Sequence, residues 1–154
     1  MLLSIDLGDR HVGLAATDAD GRLTYRYGTI DRKAADALEE IKKIVEKEKI
    51  STLVIGVPIG LEGGESAQTA KTRKFIRRLK AALPDMKIEE ISEVLSSVEA
   101  RANLQAEGGG DNLEHAEAAR ILLEDYLKQA NSPTSLNQLR QGYAGRRAPR
   151  GAGQ

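Results

Sequence analysis

The distances between successive apolar runs restrict the fold of this chain more than any other feature. LLSI, VGLAAT and LTYRYGTI are separated only by the turn signals LGDR and DADGR. Such links are too short for a crossover, so the three segments predict an antiparallel meander. The next apolar run, Thr52 to Val57, arrives only after DRKAADALEEIKKIVEKEKI, in which Ala34, Ala37, Leu38, Ile41, Ile44 and Val45 recur at three- and four-residue steps. That stripe predicts an amphipathic helix. TLVIGV behind it lacks polar alternation, as a central parallel strand buried on both faces does.

The alternation then continues. PIGLEGGES interrupts the pattern, and Ser66 to Leu83 reads as a helix capped at Ser66, apolar along Phe75, Ile76, Leu79, Ala82 and Leu83, and stopped by Pro84. MKIEEI reads as a strand, VLSSVEARANLQAE as a helix closed by Gly108 to Gly110, and LEHAEAARILLEDYLKQ as a final amphipathic helix. The order β, β, β, α, β, α, β, α, α predicts an α/β protein with a mixed sheet flanked by helices. NSPTSLNQLRQGYAGRRAPRGAGQ has little apolar periodicity, which divides the chain into a domain over residues 1–130 and a disordered basic tail over 131–154.

A chain of 154 residues suits one hydrophobic core. It holds no cysteine, which excludes disulfides and thiolate metal sites. The start MLLSIDLGD has no basic leader region, and no apolar run approaches bilayer length, so a cytoplasmic protein without membrane contact is expected. Charge is zero overall, but the four arginines beyond Ala130 meet no acid, so residues 1–129 carry a net −4. Any polyanion must therefore be met by a local basic patch.

Three side chains stand where such a sheet collects ligands, outside strand ends: Asp6 ending the first strand, Glu93 just past the last, and His115 opening the final helix. A buried carboxylate such as Asp6 is costly without compensation, and the residues alone leave two compensations open, a capped turn or a bound cation. His115 shares a helical stripe with Ala119, Leu122 and Tyr126, which points it towards the sheet. Glu93 is also readable as a helix N-terminal acid, and His115 as a hydrogen-bonded core histidine.

IDLGDRHVGLA, VIGVPIGLEGGESAQTAKTRKFIRRL, SEVLSSVEAR and EHAEAARILLEDYL together resemble the YqgF/RuvX family, named for Holliday junction resolution and pre-16S rRNA processing. The resemblance covers nearly all of residues 1–129. It implies a ribonuclease H-like fold and a nuclease acting on structured nucleic acid, either an rRNA precursor or branched DNA. It further implies that Asp6, Glu93 and the position of His115 bind Mg²⁺ or Mn²⁺, so that a metal completes the Asp6 charge. A symmetric dimer is expected if the substrate is a four-way junction.

Several positions depart from the family pattern. Ser92 and Val94 flank Glu93 where an acid and an arginine are usual, Asp9 replaces a threonine, Gly60 an asparagine, and His115 an aspartate. Imidazole is a borderline ligand, so Mn²⁺ is favoured over Mg²⁺ if His115 ligates, and Asp9 is a candidate for restoring the lost charge.

The polyanion patch is KTRKFIRRLK, which carries Lys71, Arg73, Lys74, Arg77, Arg78 and Lys80 without an acid. Lys71, Arg73, Lys74, Arg77 and Arg78, with Arg10 near the first turn, are the expected contacts to backbone phosphates. Gly60, Gly63 and Gly64 precede that helix as a loop that lets a phosphate approach. One Phe, four Tyr and no Trp leave little surface for base stacking. Two further readings stand beside the nuclease: a catalytically weakened nucleic-acid-binding relative, and an ATPase of the actin, hexokinase and Hsp70 type. The last needs a second phosphate loop that this short chain lacks.

Overall fold

A computed structural model describes residues 1–59, 64–94 and 111–131. Strands β1 (Leu2–Leu7), β2 (His11–Thr17) and β3 (Thr24–Asp31) form the expected meander. Helix α1 (Ala37–Glu48) then leads to β4 (Thr52–Ile59), and helix α2 (Ala67–Ala82) to β5 (Lys87–Val94), before α3 (Asp111–Ala130). The sheet order is β3-β2-β1-β4-β5. The β1–β2 and β2–β3 pairs are antiparallel, and β1–β4 and β4–β5 are parallel. This is a five-stranded mixed sheet, an antiparallel meander extended by parallel strands, as expected. The helix expected in VLSSVEARANLQAE lies from residue 95 onward outside the described residues, as does the tail beyond Asn131.

Strand alternation divides the side chains between two faces. Leu3, Ile5, Val12, Leu14, Leu53, Ile55 and Val57 pack with Ala37 and Ile41 of α1 and with Phe75, Ile76 and Leu79 of α2. The opposite face is thinner. There Ala15 and Val54 meet Ala119, Leu122 and Leu123 of α3. Small residues on that face let α3 settle against the sheet, and the Ser4 hydroxyl donates to the Ala119 carbonyl at 2.6 Å.

Helices α1 and α2 are both capped at their starts, α2 at Ser66 as expected and α1 at Asp36, which was not anticipated. Asp36 accepts from the Leu38 and Glu39 amides at the start of α1. Ser66 and Thr69 exchange side-chain to backbone bonds as a capping box at the start of α2.

Two strand ends differ from expectation. Asp6 does not end β1, because the ladder continues through Asp6↔Gly13 to Leu7↔Val12. Glu93 is not past the last strand but within β5, paired with Pro58. In both cases the ladder runs through the acid to the next apolar residue, Leu7 or Val94, since pairing satisfies N–H and C=O groups whatever the side chain between.

Candidate active site

Asp6 and His115 meet across the thin face, Asp6 from β1 and His115 from the second turn of α3. The Asp6 Oδ2 atom lies 3.0 Å from His115 Nδ1. Asp6 is buried, at 3% exposure, while the His115 side chain keeps 23% of its surface open. An ionised carboxylate only accepts, so in this hydrogen bond Nδ1 carries the proton. Asp6 therefore has a protein partner, which corrects the expectation that a metal alone would complete its charge.

Two glycines make this approach feasible. Gly13 stands opposite Asp6 in the ladder, and a Cβ built there falls 1.9 Å from the His115 carbonyl oxygen. A Cβ on Gly8 falls 2.5 Å from the His11 carbonyl oxygen and 2.8 Å from His115 Cε1. No side chain fits at Gly13 while α3 stays where it is, nor at Gly8 while the β1–β2 turn holds the His11 carbonyl in place. Sequence reasoning passed over Gly13, although an isolated glycine inside an apolar strand is the ordinary mark of close backbone approach. His11, to which no role was given, lies with its ring centroid 6.3 Å from that of His115.

Asp6 and His115 line a cleft of about 210 Å³ together with Leu7, Gly8, Asp9, Gly56, Pro58 and Gln68. Gln68, also unanticipated, sits in the first turn of α2 and donates to the Leu7 carbonyl at 3.1 Å. Beside it the Thr69 hydroxyl donates to the Pro58 carbonyl. The start of α2 is thereby tied to the ends of β1 and β4, the strands that frame the cleft.

The other expected residues divide. Asp9 lines the cleft, but its side chain is 73% exposed and bonds Lys71 of α2 at 3.2 Å. Arg10 faces Asp31 at 3.8 Å, and Arg73 pairs with Glu65 at 3.0 Å. Lys74, Arg77 and Arg78 have no ion-pair partner among the described residues. Gly64 is exposed with nothing within 4 Å of a built Cβ. Gly60 and Gly63 lie outside the described residues, as does the Glu93 side chain.

The donor set can be tested against a divalent ion. An ion could be held between Asp6 Oδ2 and His115 Nδ1 only by displacing the proton of their hydrogen bond, since a protonated ring nitrogen has no lone pair to give. One carboxylate and one imidazole suit Mn²⁺ or Zn²⁺. They fit as two members of a site, and no group of three His, Cys, Asp or Glu gathers among the described residues. No helix among these residues is long and apolar enough to cross a membrane.

The chain is similar throughout its domain to known proteins. A protein of Maridesulfovibrio salexigens named "Putative pre-16S rRNA nuclease" is 36% identical over 84% of this chain and 98% of its own length. One of the same name from a Picosynechococcus species is 35% identical over 82% and 90%. The crystal structure of the fowlpox virus Holliday junction resolvase aligns with 84% of this chain and 98% of that one, at a TM-score of 0.49 and 8% identity. The family description RuvX, Holliday junction resolvase, matches residues 1–129, and the chain belongs to that family.

Proposed function

We propose that this protein is a divalent-metal-dependent nuclease that hydrolyses phosphodiester bonds in structured nucleic acid, an rRNA precursor or a branched DNA, in the cytoplasm. The observation that carries the reading is the buried Asp6 carboxylate held 3.0 Å from His115 at the wall of an open cleft. Membership of the RuvX family supports the same chemistry. Asp6 and His115 would hold the ion, with Glu93 as a further ligand. When bound, such an ion polarises a phosphoryl oxygen and acidifies a water.

The chain's own groups do the rest. Burial keeps the Asp6 carboxylate out of bulk water, so its electrostatic interactions are stronger. Gly8 keeps the cleft wall free of a side chain, so a phosphate can approach the backbone closely. Lys71, already drawn to the cleft rim by Asp9, supplies positive charge beside it. The cations of α2 neutralise the flanking backbone. A symmetric dimer follows if the substrate is a four-way junction, because two opposed strands must then be cut.

A binding-only relative is the second reading, favoured by the Asp6–His115 bond, which satisfies the carboxylate without an ion. The deciding experiment is cleavage of precursor rRNA and of a four-way junction by wild type and Asp6→Asn in Mg²⁺, Mn²⁺ and Zn²⁺. Cleavage by wild type, strongest in Mn²⁺ and lost in Asp6→Asn, is the expected result. Failure of the wild type in every metal would sink the enzymatic reading. Strongest activity in Mg²⁺ alone would remove His115 from the ligand set.

A further inference from the structure

A second and larger cleft, of about 490 Å³, opens beside the first. Arg32, Lys33, Ala34, Asp36, Phe75 and Arg78 are among the residues that line it. Three of these are cations. The one acid in the lining, Asp36, turns its carboxylate to its own helix, where Oδ1 accepts from the Leu38 amide at 2.9 Å and the Glu39 amide at 3.4 Å. Lys33 and Arg78 are exposed, and among the described residues neither is in an ion pair. The cleft is thus a concave surface with an excess of positive charge and no internal neutralisation.

Arg32 joins the two clefts. Its Nη1 donates to the Gly8 carbonyl at 3.0 Å, and Gly8 lines the first cleft. Its guanidinium carbon lies 5.9 Å from the centre of the Phe75 ring, the floor of the second cleft. One hydrogen bond and a ring contact hold the guanidinium while most of its five N–H donors stay available. Helix α2 runs the same way, since Gln68 lines the first cleft and Phe75 the second. Seven residues of helix advance about 10 Å. That is the axial run of roughly three phosphates at about 3.4 Å each along one strand.

We propose that the Arg32–Lys33–Arg78 cleft is a second phosphate site, which takes a backbone phosphate of the same nucleic-acid strand a few nucleotides from the one at Asp6 and His115. The assignment rests on the nuclease reading and deepens it. Arg32 and Arg78 offer forked donors suited to phosphate oxygens, and Lys33 adds a point charge. The ligand chemistry is the phosphodiester backbone, common to RNA and DNA.

The test is equilibrium binding by fluorescence anisotropy over a salt series, without added metal, using the full chain. The probes are a single-stranded RNA and a DNA four-way junction. The variant combines Lys33→Gln with Arg78→Gln, and its control combines Lys42→Gln with Lys43→Gln, which removes the same charge from the outer face of α1. The expected result is a plot of log K against log salt less steep by about 1.4 on RNA or about 1.8 on DNA in the first variant only. The probe that shows the change identifies the strand. An unchanged slope, or an equal change in the control, overturns the second site and leaves the nuclease reading standing. Failure of the wild type to bind either probe overturns both.

Discussion

Gly13 decides where His115 stands. Replacing it with alanine puts a methyl carbon 1.9 Å from the His115 carbonyl oxygen and 2.6 Å from the Ala116 amide nitrogen, so backbone rather than a flexible side chain has to move. Gly13→Ala is expected to cost about 1–3 kcal/mol of stability and to lower cleavage at least tenfold, by drawing His115 from Asp6. Urea denaturation and the cleavage assay check the two effects, and normal values in both would show that α3 does not approach β2 this closely. His115→Asp tests the ligand itself. It restores the carboxylate usual in the family and is expected to shift the preferred metal from Mn²⁺ towards Mg²⁺. An unaltered metal profile would mean that the imidazole binds no ion.

Helices α1 and α2 lie on one face of the sheet with different duties. Ile41 in α1 is fully buried, so Ile41→Ala is expected to cost about 2–5 kcal/mol. It does not line the cleft, and the folded fraction is expected to cleave normally. Thr69 in α2 serves the capping box and also donates to the Pro58 carbonyl at the cleft wall. Thr69→Val is expected to cost about 1–3 kcal/mol and to reduce cleavage as well, because Gln68 and Lys71 follow the helix start. Equal activity per folded molecule in both variants would separate the α2 cap from the site. Both helices were legible from three- and four-residue periodicity, and α2 also from its cap residue Ser66. Of the basic face, the residue types were legible but not their partners. Asp9 and Glu65 claim Lys71 and Arg73 through contacts that no local spacing reveals.

Across the whole molecule, α3 must be anchored if His115 is to meet a residue 109 positions earlier in the chain. Part of the anchor is polar. Glu117 pairs with Arg120 in its own helix and with Arg26 of β3 at 3.6 Å, and Thr24 donates to Glu124 at 3.1 Å. The hydrogen bond from Arg120, aided by the charges of Arg120 and Arg26 and opposed by burial, holds the Glu117 carboxyl below its ordinary value. A carboxylate depressed in the folded state stabilises it above the unfolded-state pKa, and that contribution is lost as pH falls through the folded-state pKa. Glu117→Gln is therefore expected to lose about 1–2 kcal/mol at neutral pH, with the gap to wild type closing below the carboxylate range. Urea midpoints measured across that range check it, and a gap that does not vary with pH would mean that the charge contributes nothing.

The amino-acid sequence by itself determined the order of strands and helices, the buried face of each, and which residue types were available for chemistry, because apolar periodicity and capping act over a few residues. The tertiary structure alone decided that Asp6 and Glu93 lie inside their strands, that Gly13 makes room for His115, and that Arg32 links two clefts. Those outcomes depend on ladder register and on how closely one element can approach another. Both are settled only when segments remote along the chain pack together.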